Sequence, residues 1–182
     1  MEALSDYAIR YKTLYQQPIL PIFHVACGCV VGQQVRFSIG RNIRKELYLK
    51  YGHPINKDLI LQSDITIKHL TPARATLIKQ MALIDDNRPS LEVLTDYASL
   101  PYFGQWTYGA VCILLNLDPH INLSCDSYIR KNIKLYANVA DCYHYIAHAK
   151  NQTEICYLLW RIKPSSIMKI KNNELLCKED FI

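Results

Sequence analysis

The stretch from Asp96 to Lys131 constrains the fold most, because it combines a tight turn, an apolar helix and an isolated carboxylate. Pro101 fixes its own φ angle and Gly104 can take a positive φ, so this part of the chain predicts a short turn. The apolar residues 105–117 predict a buried helix behind the turn. Asp126 precedes apolar residues at helical spacing and predicts the N-cap of a further helix.

The rest of the chain shows apolar residues at helical spacing, interrupted by proline and glycine. Thr71 before Pro72 and Ser90 before an apolar run predict N-caps. No pattern predicts a β-hairpin, so we expect an all-α fold. The predicted helices cover residues 1–16, 22–31, 35–51, 73–84, 90–97, 105–117, 141–150 and 153–163, and a further helix begins at Asp126. Short helical turns are predicted at 57–62 and 64–69, and a polar tail follows Pro164.

The composition is that of a globular protein of 182 residues, half of them apolar and 20% charged. No apolar run approaches the roughly 20 residues that cross a bilayer, so we expect an intracellular protein with no membrane contact. Seven scattered cysteines predict reduced thiols rather than a disulfide framework. The histidines at 24, 144 and 148 show no metal-ligand pattern, and we expect no zinc.

Positive charge is concentrated in one part of the chain. Nine Lys and Arg lie between Gln33 and Lys79 against three acidic residues, whereas no Lys or Arg occurs from Pro89 to Ile129. The basic segment is either a solvated helix face or a surface that meets phosphate, and charge alone favours neither interpretation. A turn without cations can still contact phosphate through backbone N–H groups.

Four short motifs, in order along the chain, resemble those of one enzyme family. They are Val31-Gly32-Gln33-Gln34-Val35, Leu100-Pro101-x-Phe103-Gly104-x-Trp106-Thr107, Asp126 with Arg130-Lys131, and Leu158-Leu159-Trp160-Arg161. The 3-methyladenine DNA glycosylase II branch of the helix-hairpin-helix DNA glycosylases has Leu-Gly-Gln-Gln-Val, Leu-Pro-Gly-Ile-Gly-x-Trp-Thr, a catalytic Asp before a basic pair, and Tyr-Leu-Trp-Arg at these places. The chain therefore resembles this branch across most of its length.

The resemblance implies two helical lobes, with a helix-hairpin-helix motif and an active-site cleft between them. Residues 20–118 would form the central lobe that contains the hairpin, and residues 1–19 with 119–182 would form the second lobe from both termini. The partner implied is double-stranded DNA with damaged bases, bound by a monomer. The cysteine spacing does not fit the iron–sulfur cluster of some relatives, so no cofactor is expected.

The resemblance also implies the reaction. Asp126 would be the catalytic carboxylate that hydrolyses the N-glycosidic bond of a flipped-out alkylated purine. Considered alone, Asp126 would be only an N-cap. Trp106 stands where strand-cleaving relatives have a Schiff-base lysine, so the enzyme would be monofunctional, without lyase activity.

Further roles follow from the resemblance. Trp106, Trp160 and Phe23 would bind the substrate base, although the two tryptophans could instead be core residues. Gln34 would fill the gap that the flipped base leaves, or Gln33 and Gln34 could simply satisfy backbone groups after Gly32. The DNA-binding residues implied are Gln33, Gln34, Tyr102, Phe103, Gly104 and Arg130.

Two departures from the family motif keep other functions open. Tyr102 replaces the first glycine of the hairpin, so the turn would be distorted, or would no longer bind phosphate, if that position requires a positive φ. Ser124 and Cys125 replace the proline and acidic residue that usually precede the catalytic Asp. The alternatives are a non-catalytic helix-hairpin-helix DNA-binding protein and a glycosylase for deaminated or mismatched bases.

Overall fold

The structure is a computed structural model that describes residues 2–11, 20–118, 120–121, 126–136, 138–149, 152–172 and 174. Within these ranges every regular element is a helix, which confirms the all-α prediction. The α-helices are α1 (Glu2–Tyr11), α2 (Ile22–Val30), α3 (Phe37–Tyr51), α4 (Lys57–Gln62), α5 (Pro72–Ala82), α6 (Ser90–Ala98), α7 (Gly104–Leu115), α8 (Ser127–Tyr136), α9 (Val139–His148), α10 (Gln152–Arg161) and α11 (Ile167–Lys171), with one 3-10 turn at Pro164–Ser166.

The chain divides into two compact units. The middle unit is Ile19–Val111, and the terminal unit combines Met1–Pro18 with Cys112–Ile182. The boundary between residues 111 and 112 falls within α7, whereas the sequence placed it after residue 118. Both termini thus belong to one unit.

In the middle unit α2 is the central helix. It packs against α5 and α6, and most of its side chains are buried, as its apolar sequence predicts. The buried residues of α5 and α6, among them Leu77, Ile78, Met81 and Leu94, complete the core of this unit. α3 lies beside α2 through Arg44 and Tyr48, which come close to the backbone at Gly28.

In the terminal unit α10 is the central helix. It packs against α1, α8 and α9, and α11 packs against α1 and α8. Leu4 and Ala8 of α1 face this core, as the helical spacing of the N-terminal sequence predicts. The predicted continuation of that helix to residue 16 lies outside the described residues, as do Ser124 and Cys125.

Three local predictions are wrong. Residues 64–67 are not helical; they include the β-branched run Ile65, Thr66 and Ile67, and the carbonyl oxygen of Asp64 accepts hydrogen bonds from Lys50 and Tyr51. Ser90 is the first residue of α6 and not its cap, because Pro89 occupies the N-cap position. The tail after Pro164 contains α11.

None of the helices in the described ranges combines the length and apolarity that a membrane crossing requires.

Candidate active site

Asp126 is the N-cap of α8. Its Oδ1 accepts hydrogen bonds from the backbone N–H groups of Tyr128, at 2.8 Å, and Ile129, at 3.0 Å. These bonds satisfy two of the N–H groups that a helix leaves unpaired at its start. The carboxylate is half-buried. The predicted N-cap is confirmed, and the cap fixes the orientation of the carboxylate.

Side-chain hydrogen bonds hold the beginning of α8 against the end of α10. The hydroxyl of Tyr128 donates to the carbonyl oxygen of Ile162, at 3.2 Å. The buried amide of Asn132 donates to the carbonyl oxygens of Leu159, at 2.7 Å, and Ile162, at 3.1 Å. Asp126 lies two residues before Tyr128, and Trp160 lies two residues before Ile162. Asp126 and the half-buried Trp160 are therefore at the same end of this pair of helices.

In the middle unit, α6 and α7 are joined by a tight turn at residues 99–103. Tyr102 adopts a φ of +70° and Gly104 a φ of +68°. The position of Tyr102 thus requires the left-handed conformation, which costs a residue with a Cβ about 1–2 kcal/mol. Tyr102 is 71% exposed, whereas the neighbouring Phe103 is fully buried and anchors the turn.

Gln33 joins this turn to the end of α2. Its side-chain Nε2 donates to the carbonyl oxygen of Phe103, at 2.7 Å, and also to the carbonyl oxygen of Tyr102, at 3.4 Å, and to the hydroxyl of the buried Thr107. The side chain of Gln33 therefore does satisfy backbone groups. These groups belong to the α6–α7 turn and not to the break after Gly32. Gln34 differs, because it is exposed and has a φ of +49°.

Arg74 contacts the candidate site residue Gln33, a contact that the sequence did not predict. Its guanidinium donates to the carbonyl oxygen of Gln33, and burial lowers the pKa of this arginine. In the sequence Arg74 was counted only as one of the cations between Gln33 and Lys79. Arg74 lies three residues after the N-cap Thr71, which places it in the first turn of α5 but does not reveal that it contacts Gln33.

The predicted base-binding residues have different environments. Trp106, in the first turn of α7, is half-buried like Trp160. Phe23 is only 1% exposed, and the Nζ atom of Lys57 lies 5.3 Å from the centre of its ring. The contribution of these three residues to substrate binding stays a prediction, and in this structure Phe23 has almost no ring surface exposed.

The cations of the basic segment separate into buried and exposed groups. Arg44 is half-buried, and its Nη1 lies 3.4 Å from the carbonyl oxygen of Gly28. Lys57 pairs with Asp86 at 2.9 Å and is also part of the packing. The exposed cations are Arg36, Arg41, Lys45, Lys50 and Lys68. Arg130, the predicted DNA-binding cation of the terminal unit, is exposed on α8.

A buried histidine connects α2 to the chain after α3. The Nδ1 of His24 accepts a hydrogen bond from the backbone N–H of Ile55, at 3.2 Å, and its ring stacks on Tyr48. Burial, with a smaller contribution from the nearby His53, lowers the pKa of His24 to about 4. His24 is therefore a neutral structural residue at neutral pH. The described residues contain no group of three or more His, Cys, Asp or Glu that could hold a metal ion.

Comparison with known proteins relates the chain to others at the level of the fold. No family model matches the chain, and no curated protein sequence matches it either. Among solved structures, the 3-methyladenine DNA-glycosylase from Archaeoglobus fulgidus is similar, with a TM-score of 0.67 at 13% sequence identity. The similarity covers 96% of this chain and 68% of that chain. The all-α fold of this chain is therefore similar to the fold of that DNA-glycosylase.

Proposed function

We propose that the protein is a monofunctional DNA glycosylase that hydrolyses the N-glycosidic bond of alkylated purines, of the 3-methyladenine type, in base excision repair. The observation that carries the proposal is the fold, because nearly the whole chain resembles a protein named as a 3-methyladenine DNA-glycosylase. The side chains of Asp126 and Trp160 support it, since they lie at one end of the α8–α10 pair.

Asp126 is the proposed catalytic carboxylate. An alkylated purine carries a positive charge and leaves as a neutral base, so no general acid is needed. The reaction instead requires a negative charge that stabilises the oxocarbenium-like sugar, and a positioned water that attacks it. A carboxylate held by two backbone N–H groups is preorganised for this role.

Trp106 and Trp160 are the proposed stacking residues for the base. An enzyme of this kind must swing the nucleotide out of the duplex, which costs a few kcal/mol, and stacking on an aromatic ring returns roughly 1–3 kcal/mol per base. An electron-poor alkylated ring gains more from an indole face than a normal base does. Because residue 106 is not a lysine, no Schiff base forms there and the DNA strand remains uncut.

The α6–α7 turn and the exposed cations of α3 are the proposed DNA-binding parts. Tyr102 and Gly104 are exposed beside the first N–H groups of α7, which can donate to phosphate without a cation. Arg41 and Lys45 are exposed one helical turn apart and add charge. The exposed Gln34 is the proposed residue that enters the duplex where the base leaves.

A base-release assay on a panel of duplexes tests this function. We expect release of methylated purines by the wild-type chain, little release of uracil or hypoxanthine, and no strand cleavage. Asp126→Asn should lower the release rate by about 100-fold or more. Asn is also a good N-cap, so the helix start is preserved and the loss reports on the charge.

The matched control is Asp118→Asn. The Oδ1 of Asp118 likewise accepts from a backbone N–H two residues on, that of His120, at 2.8 Å, and this variant should keep the wild-type rate. DNA binding without release, with Asp126→Asn unaltered in every measurement, would identify a non-catalytic DNA-binding protein instead. Release from the uracil or hypoxanthine duplex alone would assign deaminated bases as the substrate.

A further inference from the structure

We propose that Gln33 is a positioning residue that links the α6–α7 turn to the turn carrying Gln34, so that the two turns meet DNA as one preorganised surface. This inference rests on the proposed function. It assigns Gln33 a role within the protein, whereas its motif implied direct contact with DNA.

The hydrogen-bonding capacity of Gln33 supports this role. A glutamine amide has two hydrogens to donate, and those of Gln33 face the carbonyl oxygens of Phe103 and Tyr102 and the hydroxyl of Thr107. The remaining side-chain atom, Oε1, is an acceptor, and a DNA phosphate has no hydrogen to give it. Gln33 is therefore suited to hold protein groups rather than phosphate.

The backbone of Gln33 is held as well. Its carbonyl oxygen accepts a hydrogen bond from the guanidinium of Arg74, and its N–H donates to the carbonyl oxygen of Val30, at 3.4 Å. The turn after α2 is thus attached to α5 through the backbone of Gln33 and to the α6–α7 turn through its side chain. Arg74 and Gln33 together restrict the turn on both sides.

Each of the two turns joined by Gln33 contains an exposed residue with the same unusual backbone conformation. Gln34 follows Gln33 directly, and Tyr102 is one of the residues whose carbonyl Gln33 contacts. Both are exposed residues with a Cβ and a left-handed backbone, at φ angles of +49° and +70°. Such conformations persist only where the surrounding structure enforces them, and they cluster at binding sites. Gln33 connects the two positions, because its side chain donates to the carbonyl oxygen of Tyr102 and its backbone, held by Arg74, directly precedes Gln34.

Amide hydrogen exchange in the free protein tests the link without DNA. Gln33→Met keeps the size of the side chain and removes its donors, so we expect exchange of the amides of Leu100 and Phe103, which donate to the carbonyl oxygens of Tyr97 and Leu100, to accelerate about tenfold. Gln33→Lys supplies ammonium donors again and should restore much of the protection. Gln62→Met, the same change at an exposed position at the end of α4, should leave the turn unaltered. Thermal unfolding of each variant shows that it is folded.

A double-mutant cycle in DNA binding tests the consequence. Gln33→Met should weaken binding to a duplex with a stable abasic-site analogue about tenfold, and much less in a Gln34→Ala background, because a misplaced turn no longer carries the contacting side chain. Unaltered exchange in Gln33→Met, or additive effects with Gln34→Ala, would overturn the inference. If the wild-type chain does not bind the duplex at all, the proposed function itself fails, and this result is distinct from wild-type binding that Gln33→Met leaves unchanged.

Discussion

Asp126 is the observed N-cap of α8 and the proposed catalytic carboxylate, and substitutions can separate the two roles. Its Oδ1 caps α8, so Asp126→Ala should lower the free energy of unfolding by about 1 kcal/mol, as the loss of an N-cap usually does. Asp126→Asn keeps a capping oxygen and should cost only a few tenths of a kcal/mol. Urea unfolding of the two variants measures the difference. Equal losses of stability would mean that the charge, and not the capping oxygen, stabilises the helix start.

Tyr102 stores backbone strain that glycine would release. Both Tyr102→Gly and Tyr102→Ala remove an exposed ring, but only alanine keeps a Cβ at φ +70°. Tyr102→Gly should therefore be more stable than Tyr102→Ala, by about 1 kcal/mol in the free energy of unfolding. Chemical denaturation checks this order.

Ser99, in the same turn, provides the control. Its φ is −75°, which any residue adopts, so Ser99→Gly should be less stable than Ser99→Ala. The reversal of sign between the two positions would attribute the effect to the left-handed backbone. The same order at both positions would contradict it.

At the residue scale, the sequence predicts groups that act locally and misses those whose partners are distant. Asp126 and Thr71 were predicted as caps because a capping side chain bonds to N–H groups two or three residues ahead. Gln33 and Arg74 were not assigned their partners, which lie 70 and 41 residues away. Only the folded chain brings such pairs together.

At the scale of elements, His24 makes the packing of α2 against the chain after α3 depend on pH. Its ordinary pKa is 6.5 and the folded protein lowers it to about 4, so the unfolded state takes up the proton first as the pH falls. The contribution of His24 to the free energy of unfolding should decrease between pH 6.5 and pH 4, by about 3 kcal/mol, and this contribution should change no further below pH 4. Chemical denaturation across this range measures the loss.

His24→Asn isolates this contribution. An asparagine oxygen can accept the hydrogen bond from the N–H of Ile55 but does not titrate, so the variant should lose less stability between pH 6.5 and pH 4 than the wild type. If His24→Asn follows the wild-type curve, His24 does not carry the effect.

The elements that the sequence predicted correctly are those with a long apolar stripe and a clear start or stop. The predicted bounds of α2, α3, α5 and α7 agree with the observed ones within a few residues, because the apolar periodicity and the residues that start or stop a helix indicate the same bounds. α11 was missed because it has only five residues, too few to show a period, and forms through the burial of Ile167 and Ile170. Residues 64–67 were misassigned because the carbonyl oxygen of Asp64 accepts hydrogen bonds from two side chains of α3, which a local pattern cannot show.

At the scale of the whole molecule, the uneven distribution of positive charge determines which parts of the chain can bind DNA phosphate through side chains. The net charge is only +5, yet exposed cations gather on α3 and the loop before α5, while the α6–α7 turn has none. Binding should therefore combine phosphate contacts that depend on salt with backbone contacts that need no charge.

Salt dependence distinguishes a phosphate-binding face from a merely solvated one. Each phosphate that a cation neutralises releases a counterion, so the slope of the logarithm of the binding constant against the logarithm of salt concentration changes by about 0.9 per contact. Arg41→Gln should make this slope shallower by about 1, whereas Lys171→Gln, an exposed cation of the terminal unit, should leave it unaltered. Titrations of duplex DNA at several salt concentrations measure both. Equal changes for the two variants would mean that net charge alone draws the protein to DNA, and that the cations of α3 meet only solvent.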